Sequence, residues 1–394
     1  MIRIFFKTIW NNRRRNILVF IELFMISLVM VNLTIYLVNM YSVYRIKNCY
    51  DSRNVILVDI WNKNIEDKNK TEQSFQNLKK IFLSNSFVEA VSISSNAVPF
   101  NYNINTSDFK HDSDNFDLAT RQVDIDYGQV MKISPLKGRW FDNTDLGKAV
   151  KPILISKDID EKYFKGDGVG NRIKENKNSF EIIGVVDRFK RSDIESPIPF
   201  GFFLKDSIGG QSFWGISILI RVKENKASDM LKVAERQVYS TLNPDNWTIG
   251  SLNSLENMHY QQNIQNYQRN YLTVIIALFV MINVFLGTIG ILWYNTNLRI
   301  HEIGIKRALG STGKGIKRLL ITENMVIAGV GLLITVIIIL QIPIFVNSEI
   351  PEPGVKGISI WTSIIMMALL VFLSTWIPAT IASKIRPAIA LKTE

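Results

Sequence analysis

Cysteine is nearly missing from this chain: Cys49 is its only one, so no internal disulfide can form and the thiol stays free, lipid-shielded or open to a second subunit. Histidine is scarce too. His111, His259 and His301 lie far apart, without the spacing a metal site needs. No stretch gathers a nucleophile, a base and an oxyanion donor, and the acidic pairs Asp112/Asp114 and Asp124/Asp126 read as solvated loops. A phosphate-binding loop is also lacking. In ALGSTGKG, Ala308 stands where the first Gly belongs and Gly315 where Ser or Thr belongs, so the chain has no ATP site of its own. No catalytic residues, resident metal or cofactor are expected.

Long apolar runs are abundant. Ile17 to Tyr44, Tyr271 to Thr296, Leu319 to Val346 and Ile358 to Ser383 each exceed the roughly 20 residues that cross a bilayer core, and the second and fourth carry no charge. The first follows a basic leader, yet it outruns the h-region of a cleaved signal and no Ala-x-Ala site follows, so it reads as an uncleaved anchor. At ~1.5 Å per residue it would be about 42 Å long, which predicts a stalk beyond the membrane. The Gln- and Asn-rich stretch Asn253 to Asn270 leads into the second span without Gly or Pro and predicts one continuous helix there.

Orientation follows from the basic residues beside the spans. Arg3, Lys7, Arg13, Arg14 and Arg15 precede the first span with no acid. Arg299, Lys306, Arg307, Lys314, Lys317 and Arg318 follow the second against Glu302 alone, and Lys384, Arg386 and Lys392 lie in the tail against Glu394. The loop between the third and fourth spans has only Lys356 against Glu349 and Glu352. Both termini and the 297–318 loop are therefore expected in the cytoplasm. The net charge of +11 belongs to these segments, so it reads as a topology signal and an anionic-lipid contact and excludes a nucleic-acid role.

The fold class expected is a membrane protein of four transmembrane helices plus a large α+β extracytoplasmic domain between the first two spans. The chain divides into an amphipathic leader, 1–16; the first span with its stalk, 17–44; the outer domain, 45–270; spans at 271–296, 319–346 and 358–383; the 297–318 loop; and a tail, 384–394. In the outer domain, NVILVDIW, Thr71 to Leu83 and FVEAVSIS form one βαβ-like flank, and WGISILIRV, Ala227 to Leu242 and NWTIGSL form the other. Between them, over 101–210, RQVDI, PILIS, SFEIIGVV and FGFFL read as strands of a β-rich insertion.

The loop after the second span carries the most specific pattern. Ile305, Ala308 and Leu309 fall at i, i+3 and i+4 and share a helix face, while Lys306 and Arg307 point elsewhere. Gly310 offers a helix stop and Ser311 the N-cap of a new helix. Glu22 and Glu323 lie in apolar spans, where a carboxylate is costly unless paired. Contact with nearby basic residues at the membrane interface and a pair joining the first span to the third are both open.

HEIGIKRALGSTGKGIKRLLITEN resembles the signature of the FtsX-like and MacB-like permeases, the membrane subunits of type VII ABC transporters. LGTIGILWYN, YFKGDGVGNRIKENKNSFEIIGVV and the ending IPATIASKIRPAIALK are similar as well, with Pro378, Arg386, Pro387, Ala390 and Leu391 in the family's order. The chain departs from the family at His301 and Lys306, where Arg is common. The resemblance implies that Glu302, Ile303, Gly304, Ile305, Lys306, Arg307, Ala308, Leu309 and Gly310 form the coupling helix that docks on a separate cytoplasmic ATPase, which binds ATP and Mg. It further implies a bacterial inner-membrane subunit working with a second permease copy or a sister permease, a porter-like outer domain in the periplasm, and an adaptor and outer-membrane exit duct as further partners. Export from the periplasm is the expected role; lipoprotein extraction and activation of a cell-wall hydrolase are the alternatives.

Overall fold

A computed structural model of the chain describes residues 13–63, 68–100, 105–193, 195–205, 215–341 and 353–384. The leader before Arg13, the tail beyond Lys384 with Arg386, Pro387, Ala390 and Leu391, and the link between the last two spans up to Glu352 lie outside the described residues. The chain forms two compact units, Val43–Tyr267 and Met1–Ser42 with Gln268–Glu394.

In the first of these, four strands carry two helices. β1 (Val55–Asn62), α2 (Lys68–Leu83) and β2 (Val88–Ser95) form one βαβ unit; β10 (Ile216–Val222), α5 (Ala227–Thr241) and β11 (Trp247–Ser254) form the other. Their order is β11-β1-β10-β2 with every neighbour antiparallel, the split βαβ arrangement, in which Leu57 stands opposite Leu219 and Ile218 opposite Ile93. Side chains alternate across a strand. Ile56, Val58 and Ile60 thus meet Phe75, Leu78 and Phe82 of α2 and Met230, Ala234 and Val238 of α5, while Val55 and Leu57 face a second core with Tyr127 and Phe202. Burial on both faces is why VILV and ISILI read as unbroken apolar runs.

The insertion is a closed barrel. β3 (Thr106–His111), β4 (Asp114–Val123), β6 (Lys151–Ser156), β7 (Arg172–Glu175), β8 (Asn178–Val186) and β9 (Phe200–Leu204) run in the order β4-β3-β7-β8-β6-β9, and β9 returns to pair with β4, from Ala119↔Phe200 to Val123↔Leu204. Closure leaves these strands no open edge. A two-residue strand, β5 (Lys137–Gly138), adds to β8. Short helices α3 (Tyr127–Met131) and α4 (Lys157–Tyr163) complete the insertion, and Phe109, Phe116, Phe180, Ile153 and Ile182 fill the barrel.

The acidic pairs divide. Asp112 is solvated, but Asp124 accepts from Lys79 Nζ at 2.6 Å, Ser92 Oγ at 2.6 Å and the Ile93 N–H at 3.0 Å, which corrects the loop reading: it ties β4 to β2 and α2. A denser cluster surrounds Asp145, whose fully buried carboxylate takes both terminal nitrogens of Arg139, at 2.6 and 2.7 Å, and Lys148 Nζ at 2.8 Å. The Arg139 hydrogen bonds come first in holding its pKa well below the usual carboxylate range. Asp145→Asn is expected to cost about 2–3 kcal/mol in chemical denaturation. Because the folded pKa is depressed, this contribution is complete above about pH 4 and is lost as pH falls through the depressed value. Acid titration of stability should show that loss in the wild type and not in the variant.

The loop 187–193 fastens both ends of this unit. Lys190, 2% exposed, donates from Nζ to the carbonyls of Val43 at 2.9 Å, Ile46 at 3.2 Å and Asp193 at 2.9 Å. The Asp193 carboxylate accepts from His259 Nε2 at 3.1 Å, Asn263 Nδ2 at 3.2 Å and the Tyr267 hydroxyl at 2.9 Å. Cys49, whose N–H bonds the Arg188 carbonyl, is quiet: burial pushes its thiol up to about 12.

The second unit is helical. Among the described residues, α1 (Arg13–Arg45), α6 (Leu255–Asn297), α8 (Gly313–Gln341) and α9 (Pro353–Ser383) are the four helices long and apolar enough to span a membrane, with α7 (Ile300–Ala308) between α6 and α8. α6, at 43 residues, is about 64 Å long and begins well before the apolar run. Leu23, Met30 and Val31 of α1, Leu292 of α6, Ile327 and Leu332 of α8 and Leu370 and Val371 of α9 share one core.

Candidate functional site

Two residues separate α6 from α7. The Leu298 N–H still bonds the Tyr294 carbonyl, the Arg299 N–H turns back to Thr296, and the Arg299 carbonyl accepts from Ile303 to start the new helix. α7 ends in paired reverse bonds, Ser311 N–H to the Lys306 carbonyl at 3.0 Å and Gly310 N–H to the Arg307 carbonyl at 3.1 Å. Gly310 sits at φ +94°, the left-handed conformation this cap requires. The stop at Gly310 thus agrees with the sequence, but the next cap does not. Ser311 lends its N–H to the cap that closes α7, and the Thr312 hydroxyl, accepting from the Gly315 N–H at 3.2 Å, starts α8.

The apolar residues of α7 separate onto two sides. Ile303 is buried with Ile316 and Leu320 of α8 and Ala379 and Ala382 of α9, and Gly304 is buried beside it. Opposite them, His301, Ile305, Ala308 and Leu309 are exposed, Ile305 by 42% and Leu309 by 82%. The Ile305, Ala308 and Leu309 face predicted from spacing therefore exists, and it belongs to no hydrophobic core among the described residues. Sequence spacing missed the buried anchor Ile303, because one residue on a nine-residue helix leaves no periodic signal. Lys306 and Arg307 are half-buried at the flank, and Lys314 and Arg318 are exposed beside them on α8.

Charge fixes the start of α7. Arg299 Nη1 donates to Glu323 Oε2 at 2.6 Å, with the two side chains 8% and 3% exposed, and Arg299 Nε lies 3.5 Å from Glu302 Oε2. The other Glu323 oxygen has no hydrogen-bond partner among the described residues. Of the two readings of the acids, Glu323 takes the one with a basic neighbour; it does not pair with Glu22, which is half-buried on α1 and faces Gly287 of α6. Between α1 and α8 the joint is different: the Ser27 and Thr335 hydroxyls bond each other, and a β-carbon on Gly331 would stand 3.3 Å from Phe24 Cα. Among the described residues, no group of His, Cys, Asp or Glu could hold a metal ion.

Residues 24–236 match the family model of the MacB-like periplasmic core domain, and residues 274–387 that of the FtsX-like permease C-terminal domain. Among solved structures, the periplasmic region of MacB from Actinobacillus actinomycetemcomitans is 15% identical, covering 55% of this chain and 94% of that one with a TM-score of 0.38. The extracellular domain of the noncanonic ABC-type transporter YknZ from Gram-positive bacteria is 14% identical, covering 50% and 100%, TM-score 0.35. A domain of a putative permease protein from Porphyromonas gingivalis is 12% identical, covering 51% and 93%, TM-score 0.35. No curated protein matches the chain.

Proposed function

Because this chain belongs to the family of ABC-transporter permease subunits that join a MacB-like periplasmic core domain to an FtsX-like permease C-terminal domain, we propose that α7 is its power input, gripped by a cytoplasmic ATPase. The observation that carries this reading is an apolar face, Ile305 and Leu309, exposed on a helix that is anchored from behind by Ile303. Filling a groove with Leu309 alone is worth about 2 kcal/mol. Lys306, Arg307, Lys314 and Arg318 suit a groove with an acidic rim. ATP and Mg belong to the partner, and two partners acting on two permeases, a second copy or a sister chain, follow from the usual symmetry of such assemblies.

In this reading α7 and both termini face the cytoplasm of a bacterial inner membrane and the outer unit stands in the periplasm. ATP binding closes the ATPases, α7 moves with them, and α1 and α6, each continuous from the span into the outer unit, carry the motion outward. The two states must differ in their affinity for nucleotide for this to draw on ATP. Few charged residues lie within the spans, which disfavours a hydrophilic channel and favours export of cargo collected outside the membrane, with an adaptor and an exit duct as further partners. A large outer unit with a closed barrel supports the exporter over a hydrolase activator.

Leu309→Asp tests the reading. It removes the apolar group that docking buries and adds a carboxylate that must be desolvated, so ATPase affinity should fall about 30–100-fold. The variant should still insert and fold, since Leu309 is 82% exposed and belongs to no core among the described residues. An ATPase that co-purifies equally with wild type and variant sinks the docking proposal.

A further inference from the structure

We infer that Arg299 is the joint through which α7 drives α8, so that force entering at the coupling helix reaches α1 by way of the third span. The inference rests on the docking reading above for its function, and on geometry for its mechanics. A single guanidinium, 8% exposed, faces one carboxylate from each helix: Glu302 in the first turn of α7 and Glu323 on α8. Glu323 lies ten residues into α8, about 15 Å along its axis, and among the described residues Arg299 is what holds its carboxylate. A fork of donors can serve two acceptors where an ammonium serves as a point charge.

The contacts that continue this path are equally specific. α7 is joined to α6 by Leu298 and Arg299 of the chain, yet its buried face packs on α8 and α9 through Ile303. α8 packs along α9 for much of its length, and it also touches α1, where Gly331 lets the Phe24 backbone approach and Thr335 bonds Ser27. α1 then runs on to Arg45, and its last carbonyls are held by Lys190. Each step is a helix or a buried contact, the kind of element that can carry coupling between distant sites. Arg299 is a positioning residue: its side chain is covered and takes no part in docking.

Hydrogen exchange on the intact chain in lipid nanodiscs, with no ATPase present, tests the joint directly. Arg299→Met should speed exchange of the Ile303 to Ser311 amides at least tenfold while leaving α8 around Thr335 unchanged, and Arg299→Lys should fall between. Unchanged exchange in the Met variant overturns the proposal, since Ile303 would then hold α7 alone. With the ATPase that co-purifies with the wild-type chain, Arg299→Met should keep the bound ATPase but lose at least tenfold of the permease-dependent stimulation of hydrolysis. Loss of binding equal to that of Leu309→Asp would make Arg299 a docking residue and also overturn it. If Leu309→Asp retains the ATPase, the docking reading falls, and the exchange result still decides the joint.

Discussion

Lys190→Met is expected to destabilise the outer unit by about 3 kcal/mol, the cost of leaving buried carbonyls without a donor. Nζ serves three of them; Val43 lies in the last turn of α1 and Ile46 directly after it, where a cation also complements the helix dipole. Burial pulls the Lys190 pKa down, opposed by Asp193, so desolvation offsets part of the gain and the full sum of three hydrogen bonds is not expected. Methionine fills similar volume but donates nothing. For a unit of this size the loss corresponds to a drop of roughly 6–12 °C in Tm. Thermal unfolding of the intact chain, followed by exchange of the Val43 to Tyr50 amides, measures it; a shift under 2 °C would mean that the α1 terminus is held by other groups.

Gly138→Val should be worse, on the order of 4 kcal/mol or more. Gly138 has φ +70°, and an added β-carbon would collide with the Ile183 carbonyl oxygen and stand 2.9 Å from Gly184 Cα. Both obstacles are backbone of β8, which cannot rotate aside, and valine adds a β-branched penalty in the left-handed region. The Arg139 N–H bond to Ile183 and the pairing of β5 would be lost with it. Proteolysis of the barrel at a protease level the wild type survives is the expected readout. A variant with native protease resistance would show that β5 is dispensable.

Periodicity made the membrane helices and both βαβ flanks legible, because VILVDIW and ISILIRV are buried on two faces and α2 and α5 on one. β3 was not legible. Phe109 is its one buried residue, so TSDFKH shows no alternation, and its hairpin turns at Asp112, with φ +50°, without a glycine to mark it. Barrel closure by β9 on β4 joins residues some 80 apart in sequence and leaves no local trace. In the 297–318 loop, charge and spacing announced the exposed face and the Gly310 stop. The Arg299–Glu323 pair was hidden because Glu323 looks like any carboxylate in an apolar run, and its partner was counted among the topology charges. Asp124 was misjudged for a related reason: the polar residues around it suggested water, whereas Lys79 and Ser92 reach it from elements that adjoin it only after folding.

Strand order has a last consequence, for assembly. β1 finds both its neighbours, β10 and β11, at the far end of the outer unit, with Val55 opposite Arg221 and Val58 opposite Leu252. A chain emerging N-terminus first therefore presents an unpaired, apolar β1 while more than a hundred and fifty residues are still to come, and the carbonyls of α1 wait almost as long for Lys190. Such distant pairing is slow and leaves sticky edges in the interim. Biogenesis of this protein, rather than its finished form, is where a helper that shields nascent strands would matter most.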